Sequence, residues 1–337
     1  MKTIAIIGGG AWGLALAKLL SENGHSVSLW EYNTQYVDLI IKTRTNPFLL
    51  EGITIPESIR VSNAIADVLT KDTELVVCAI PSQYLRSSIH AFRERIRTMP
   101  GIKGIINVAK GVEEGSLSRM SEVLSQELSS DYENRIMTLS GPSHAEEVAR
   151  MIPTAVVVAG KDDQLLQEVQ QVFSNPYFRV YRSHDLIGVE IGGAVKNIIS
   201  IAAGIIDGIG YGDNTKGALL IRGIVEIQRL GSAMGAQAET FLGLSGMGDL
   251  ITTAISPHSR NRYVGYEIGK GRKLTDILSG MKAVAEGVAS TKSIYELKQK
   301  LAVEMPITDQ IYEVLFNDKS PNEAIIQLMT RSLKEEL

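Results

Sequence analysis

One lysine stands where charge is costly. Residues 188–206 read GVEIGGAVKNIISIAAGII. Helical spacing puts Gly192, Gly193, Lys196, Ser200, Ala203 and Gly204 on one stripe, while Val189, Ile191, Val195, Ile198, Ile199, Ile201 and Ile205 cover most of the rest. A helix apolar nearly all round is buried, and a buried ammonium is costly unless paired. Lys196 is therefore either half of an ion pair, with Glu190, Asp249 or Glu226 as conceivable partners, or part of a ligand site. In the second case burial lowers its pKa. It can then protonate the alkoxide left when a hydride adds to a carbonyl.

A second group of residues suits a dinucleotide. Residues 4–13 read IAIIGGGAWG, so Gly8, Gly10 and Gly13 form GxGxxG directly after a strand pattern and before a helix pattern. The first glycine permits the tight turn, the second lets the backbone approach a pyrophosphate, and the third lets helix and strand pack closely. The helix N-terminus then faces the anion. Glu31, at the end of the next strand pattern, stands where an acidic residue that bonds a ribose 2′-OH is expected, which favours NAD over NADP. No Arg or Lys follows until Lys42, although Tyr32 and Asn33 could still receive a 2′-phosphate; a solvated strand end is the other reading of Glu31.

A third group suits a phosphate. In FLGLSGMGDLITTAISPHSRNR (241–262), Gly243, Gly246 and Gly248 predict a flexible loop up to Asp249, and Ser259 predicts an N-cap for a helix starting at Arg260. Arg260 and Asn261 would occupy its first turn, where free N–H groups and the helix dipole favour an anion and a guanidinium adds two bonds. Ordinary capping with solvated arginines is the alternative. His258 has no Cys or second His at ligand spacing, so no metal is expected; His25, His90, His144 and His184 are scattered.

The elements that must position these groups alternate through the first half. Strand patterns at Thr3–Ile7, Val27–Trp30, Leu75–Ile80, Gly104–Val108, Ile136–Leu139 and Ala155–Val158 interleave with helix patterns at Trp12–Glu22, Gln83–Ile96, Leu117–Leu128 and Gln164–Phe173. This predicts a Rossmann-type α/β domain with a largely parallel sheet. After about Ser183 the pattern turns helical, over 184–206, 215–231, 260–269, 287–301, 306–316 and 321–336. The expected division is a dinucleotide-binding domain over 1–183 and an all-α substrate domain over 184–337, packed tightly because no Pro/Ser-rich linker separates them.

Composition bounds the rest. The chain has 337 residues, 44% hydrophobic and 21% charged, enough for two domains and a large core. A net charge of -4 argues against a nucleic-acid or anionic-membrane partner. The one cysteine, Cys78, lies in an apolar strand and reads as a buried small hydrophobe in a reducing compartment. With no leader pattern and with Glu190, Lys196 and Asn197 interrupting the longest apolar run, a cytoplasmic protein without membrane insertion is expected.

Taken in order, the motifs resemble the NAD(P)-dependent glycerol-3-phosphate dehydrogenases of the soluble bacterial type. They are Gly-x-Gly-x-Trp-Gly (8–13), Val-Ala-Lys-Gly (108–111), Ser-Gly-Pro-Ser-His-Ala-x-Glu-Val (140–148) and Pro-Thr-Ala-Val (153–156). The second half adds Gly-Val-Glu-Ile-Gly-Gly-Ala-Val-Lys-Asn (188–197), Gly-Asp-Asn-Thr-Lys-Gly-Ala-Leu (212–219), Arg-Gly-Ile-Val-Glu (222–226), Gly-Leu-Ser-Gly-Met-Gly-Asp-Leu (243–250), Ser-Arg-Asn-Arg (259–262) and Val-Ala-Glu-Gly-Val (284–288). The likeness runs from residue 4 to about residue 309.

The resemblance implies an oxidoreductase that interconverts dihydroxyacetone phosphate and glycerol 3-phosphate with NAD or NADP, supplies glycerol 3-phosphate for phospholipids, and forms a homodimer. It implies Lys196 as the catalytic acid/base. Lys110 would touch both cofactor and substrate. Gly141, Ser143, Asp249, Ser259, Arg260 and Asn261 would line the substrate site. Ala11, Trp12, Tyr32, Asn33, Ala145, Val284 and Glu286, with Arg260 again, would contact the dinucleotide. Three positions depart from the pattern: Tyr32 where an arginine often stands, Ala254 for a frequent cysteine, and His144 for an aromatic residue. A relative acting on a hydroxy acid or ketopantoate, and a nucleotide sensor without turnover, are the competing expectations.

Overall fold

The computed structural model describes residues 1–281, 284–333 and 335–336. Its first part is built on an eight-stranded sheet: β1 (Thr3–Ile7), β2 (Ser26–Trp30), β3 (Arg60–Ser62), β4 (Leu75–Cys78), β5 (Gly104–Asn107), β6 (Ile136–Ser140), β7 (Thr154–Ala159) and β8 (Phe178–Ser183). The order is β3-β2-β1-β4-β5-β6-β7-β8, and every pair is parallel except β6 with β7. Helices α1 (Ala11–Glu22), α2 (Thr34–Thr43), α3 (Ile65–Val68), α4 (Ser82–Arg97), α5 (Met120–Leu128), α6 (Ala145–Ala149) and α7 (Asp163–Phe173) flank it.

Both faces are buried because the central strands are apolar on both sides. Ile4, Ile6 and Val77 enter one core with Leu16 and Val169, whereas Ala5, Ile7, Val76 and Cys78 enter the opposite core with Leu85 and Val123. Doubly covered parallel strands read as continuous apolar runs for this reason.

The second part is helical: α8 (Leu186–Ile209), α9 (Asp213–Ala233), α10 (Asp249–Ile255), α11 (Arg260–Gly269), α12 (Leu274–Ser279), α13 (Glu286–Lys300), α14 (Pro306–Phe316) and α15 (Pro321–Met329). Helix α8 is its axis. Asp185 caps its start by accepting from the Gly188 N–H at 2.8 Å, Gly210 ends it at φ 90°, and every residue from Gly188 to Ile206 is buried. The helix is long and apolar enough to cross a membrane, but that window lies wholly inside the protein. Glycines let α11 cross it backbone to backbone: a Cβ on Gly204 would collide with the Arg262 carbonyl, and one on Gly265 with the Ile201 carbonyl.

Several expected elements change. Strands β3 and β8 are additional. β8 is an edge strand, where Arg179 and Tyr181 point outward and break the apolar run. The helix expected from Leu117 starts only at Met120, because Leu117 is left-handed at φ 57°. The glycines at 243, 246 and 248 do not make a flexible loop; Leu244–Gly248 is a π-type helical turn leading into α10. Gly246 packs where a Cβ would overlap the Phe241 backbone, so that glycine serves close packing. The last helix ends at Met329 rather than 336, and Lys334 and Leu337 of the expected 321–336 and 184–337 ranges lie outside the described residues.

A buried ionic cluster joins the sheet region to α8. Glu190 accepts from Arg119 Nη1 at 2.6 Å, from the Ser121 N–H at 2.8 Å and hydroxyl at 2.6 Å, and from the Thr138 hydroxyl at 3.2 Å. Glu190→Ala leaves a buried guanidinium short of its partner. A loss of roughly 3–5 kcal/mol is expected, read as a lower urea midpoint at constant slope; an unchanged midpoint would contradict it.

Candidate active site

The glycine turn lies at the C-terminal ends of β1 and β4, where strand order reverses, the usual crevice of an open α/β sheet. Gly8 adopts φ 116°, and a Cβ there would strike the Ala79 carbonyl; a Cβ on Gly13 would strike the carbonyl of Gly8. Gly10 has nothing within 4 Å of its Cβ position, so its face is open to an approaching group. Helix α1 has no side-chain cap, which leaves the N–H groups of its first turn, at Ala11, Trp12 and Gly13, to an anion. These features fit the pyrophosphate of an NAD or NADP dinucleotide.

Glu31 is not a solvated strand end: it is 9% exposed. Its carboxylate accepts from the Asn33 N–H at 2.7 Å and from the N–H groups of Gly9 and Tyr32, and burial, only partly offset by these bonds, pushes its pKa up. It braces the glycine turn against the end of β2. Asn33 caps α2 through the Gln35 and Tyr36 N–H groups, while Tyr32 projects into solvent at 83% exposure.

The two lysines converge on one carboxylate. Lys196 Nζ lies 2.9 Å from Asp249 Oδ1 and 2.6 Å from the Thr253 hydroxyl; Lys110 Nζ lies 2.6 Å from Asp249 Oδ2 and 2.9 Å from the Gly141 carbonyl. Of the three partners conceivable for Lys196, the structure selects Asp249. Glu190 is held by Arg119, and Glu226 caps the start of α14 through the Ile307 and Thr308 N–H groups.

Lys196 is 5% exposed and Asp249 2%. Burial lowers the Lys196 pKa, Asp249 opposes it and Lys110 adds to the lowering; the balance leaves the pKa at about 8. Burial would raise Asp249, but the two ammonium groups outweigh it and hold the carboxylate below its usual range. Two cations facing one anion leave one positive charge over, in a place where water is scarce. Such a site is suited to an oxygen that gains negative charge.

Loops from both parts frame this group. Gly141, at φ 137° after β6, accepts the Ser143 hydroxyl at 2.9 Å, and Ala145 opens α6. Ser259 caps α11 by accepting from the Arg262 N–H at 3.1 Å. The buried Asn261 donates to Asn197 Oδ1 and accepts from the Gly287 N–H, both at 2.9 Å, so it ties α8, α11 and α13 together. The two arginines differ. Arg262 is committed to Asp207 at 2.7 Å, beside Lys216, whereas Arg260 is exposed and, among the described residues, bonds the Val284 carbonyl at 2.9 Å. Glu286 accepts from the Ser82 N–H at 3.0 Å, joining the start of α13 to that of α4.

Two residues of the site escape the sequence reading. Thr253 receives Lys196 and donates to the Asp249 carbonyl at 2.6 Å; its signal is the four-residue spacing from Asp249 on one helix. Asn197 donates to the Lys110 carbonyl at 3.2 Å and supports the lysine loop; its only signal is adjacency to Lys196.

Residues 3–166 match the family described as NAD-dependent glycerol-3-phosphate dehydrogenase N-terminus, and residues 185–326 match its C-terminus. A protein of Syntrophotalea carbinolica named glycerol-3-phosphate dehydrogenase [NAD(P)+] is 47% identical over 99% of this chain and 99% of its own. A solved glycerol-3-phosphate dehydrogenase from Coxiella burnetii superposes with TM-score 0.91 at 35% identity, covering 97% of this chain and 98% of that one. A ketopantoate reductase from Ralstonia eutropha shares the fold alone, with TM-score 0.61 at 14% identity over 96% of this chain and 100% of that one.

Proposed function

This chain belongs to the NAD-dependent glycerol-3-phosphate dehydrogenase family, and from that premise we propose that Lys196 is the acid/base of its reaction. The enzyme is an oxidoreductase that interconverts dihydroxyacetone phosphate and sn-glycerol 3-phosphate with NAD(P)H and NAD(P)+. The observation that carries the assignment is the pair of lysines on Asp249 with one positive charge in excess. Among the described residues no group of His, Cys, Asp or Glu could hold a metal ion; the excess positive charge is the lysines' own.

Bound at the glycine turn, the dinucleotide supplies or accepts the hydride. Gly8, Gly10, Ala11, Trp12 and Gly13 would hold its pyrophosphate, with Glu31, Tyr32, Asn33, Lys110, Ala145, Arg260, Val284 and Glu286 as its further contacts. In ketone reduction Lys196, protonated below its pKa of about 8, polarises the carbonyl oxygen and gives it a proton. In the reverse direction the neutral amine takes the hydroxyl proton. Asp249 and Thr253 fix the ammonium in place, and Lys110 adds positive charge at the same oxygen. Gly141, Ser143, Ser259, Arg260 and Asn261 would complete the substrate site, with the first turn of α11 at the phosphate. The division into a dinucleotide domain (1–183) and a substrate domain (184–337) follows this assignment of roles.

The same reading takes the protein as a cytoplasmic homodimer that supplies glycerol 3-phosphate for glycerophospholipid synthesis. The family resemblance supports this, and the buried lone cysteine, Cys78, suits a reducing compartment. The direct test is oxidation of NADH, then NADPH, by dihydroxyacetone phosphate; no turnover with either would overturn the reading. Arg260→Ala is expected to raise the KM for dihydroxyacetone phosphate roughly 10- to 100-fold while kcat changes far less, as for loss of a charged hydrogen bond. An unchanged KM removes Arg260 from the phosphate.

A further inference from the structure

The site contains an imidazole to which nothing so far gives a task. His144 follows β6 and caps the short helix α6 only through its backbone. Its Nε2 is buried and has no hydrogen-bond partner among the described residues. A buried polar atom left without a partner costs about 1–3 kcal/mol, so such an atom in a ligand site is a contact awaiting its ligand.

The surroundings say which ligand. The charges felt by the ring come from Lys196 on α8, Lys110 after β5, Asp249 on α10 and Glu146 on its own helix. The ring of His258 lies 6.0 Å away, centroid to centroid, immediately before the Ser259 cap of α11. His144 is therefore near both the paired lysines, where the ketone oxygen belongs, and the start of α11, where the phosphate belongs. In a triose phosphate those two groups are only a few bonds apart. Burial, then Lys196, hold the His144 pKa below the usual histidine value, so the ring is neutral near pH 7 and presents a hydrogen bond rather than a fixed charge.

We propose that His144 is a specificity-determining substrate contact, its Nε2–H donating to a phosphate oxygen of the triose phosphate. The assignment rests on the placement of the substrate argued above. It gives the enzyme a discriminator for phosphorylated over plain three-carbon ketones that is separate from Arg260.

The test uses the full-length enzyme. His144→Phe keeps the ring and removes the donor. It is expected to raise the KM for dihydroxyacetone phosphate roughly 10- to 100-fold, to change kcat little, and to leave kcat/KM for unphosphorylated dihydroxyacetone and the affinity for NADH as they were. His144→Gln, which restores an N–H near the same place, is expected to recover most of the KM. An unchanged KM in His144→Phe, or equal losses with both ketones, overturns the proposal.

A measurement on the unaltered enzyme is independent of how the variants fold. The His144 imidazole nitrogen resonance, assigned by its absence in His144→Gln, is expected to shift on saturation with glycerol 3-phosphate and not with glycerol. No shift, or the same shift with both, overturns it as well. If Lys196→Ala abolishes turnover and His144→Phe is silent, the histidine assignment alone falls. If Lys196→Ala keeps turnover, the placement of the ketone falls instead.

Discussion

Replacing Lys196 by alanine is expected to lower turnover by about 10²–10⁴, the usual contribution of a positioned general acid, with the affinity for NADH retained. The ammonium is buried and held by two partners, at 2.9 Å from Asp249 and 2.6 Å from Thr253. The glycine turn does not depend on it, so the dinucleotide still binds. Stopped turnover with an unchanged NADH fluorescence titration is the expected pair of results, and near-normal turnover would refute the role.

The pH dependence follows from the same residue. Its pKa of about 8 is low because burial disfavours the charged form. Ketone reduction needs the ammonium and is lost as pH rises through about 8. Alcohol oxidation needs the amine and appears over the same interval. Opposite limbs in the two directions, with a shared midpoint, would identify one group serving both.

Asp249→Asn is expected to cost on the order of 10²–10³ in kcat/KM, because it strips the buried carboxylate bonded to both ammonium groups. Asp249 raises the Lys196 pKa while Lys110 lowers it. Without the carboxylate the main raising influence is gone and only the weaker pull of Glu286 opposes burial and Lys110, so the midpoint moves below about 8 and the window for reduction shrinks from the alkaline side. A midpoint that stays in place would show that Asp249 does not set the charge of Lys196.

The parts of this enzyme that were legible in its sequence are those where the residue type is forced locally. GxGxxG is such a case: Gly8 needs a left-handed φ and Gly13 a bare Cα beneath the Gly8 carbonyl, and no other residue meets either demand. Lys196 was legible because a single ammonium in a long apolar helix has few explanations. Its partner was not, since Glu190, Asp249 and Glu226 all lie in reach by chain order and only the turn before α10 decides among them. Thr253 and Asn197 were silent for the same reason: a threonine or asparagine in a helix carries no mark of what lies across from it. Strands β3 and β8 were missed because edge strands bury one face and admit arginine on the other. The glycines at 243, 246 and 248 were misread because the same residue serves mobility and tight packing, and sequence does not distinguish them.

The crossing of α8 and α11 has a bearing on how the site keeps its shape. Interlocked at Gly204 and Gly265, where the carbonyls of one helix rest against bare glycine of the other, the helix bearing the proton donor and the helix facing the phosphate are held at one spacing. The opposite wall is tied to the same axis, through Lys110 on Asp249 and Arg119 on Glu190. A triose spans that fixed interval, so its length is measured by two backbones in contact rather than by flexible side chains.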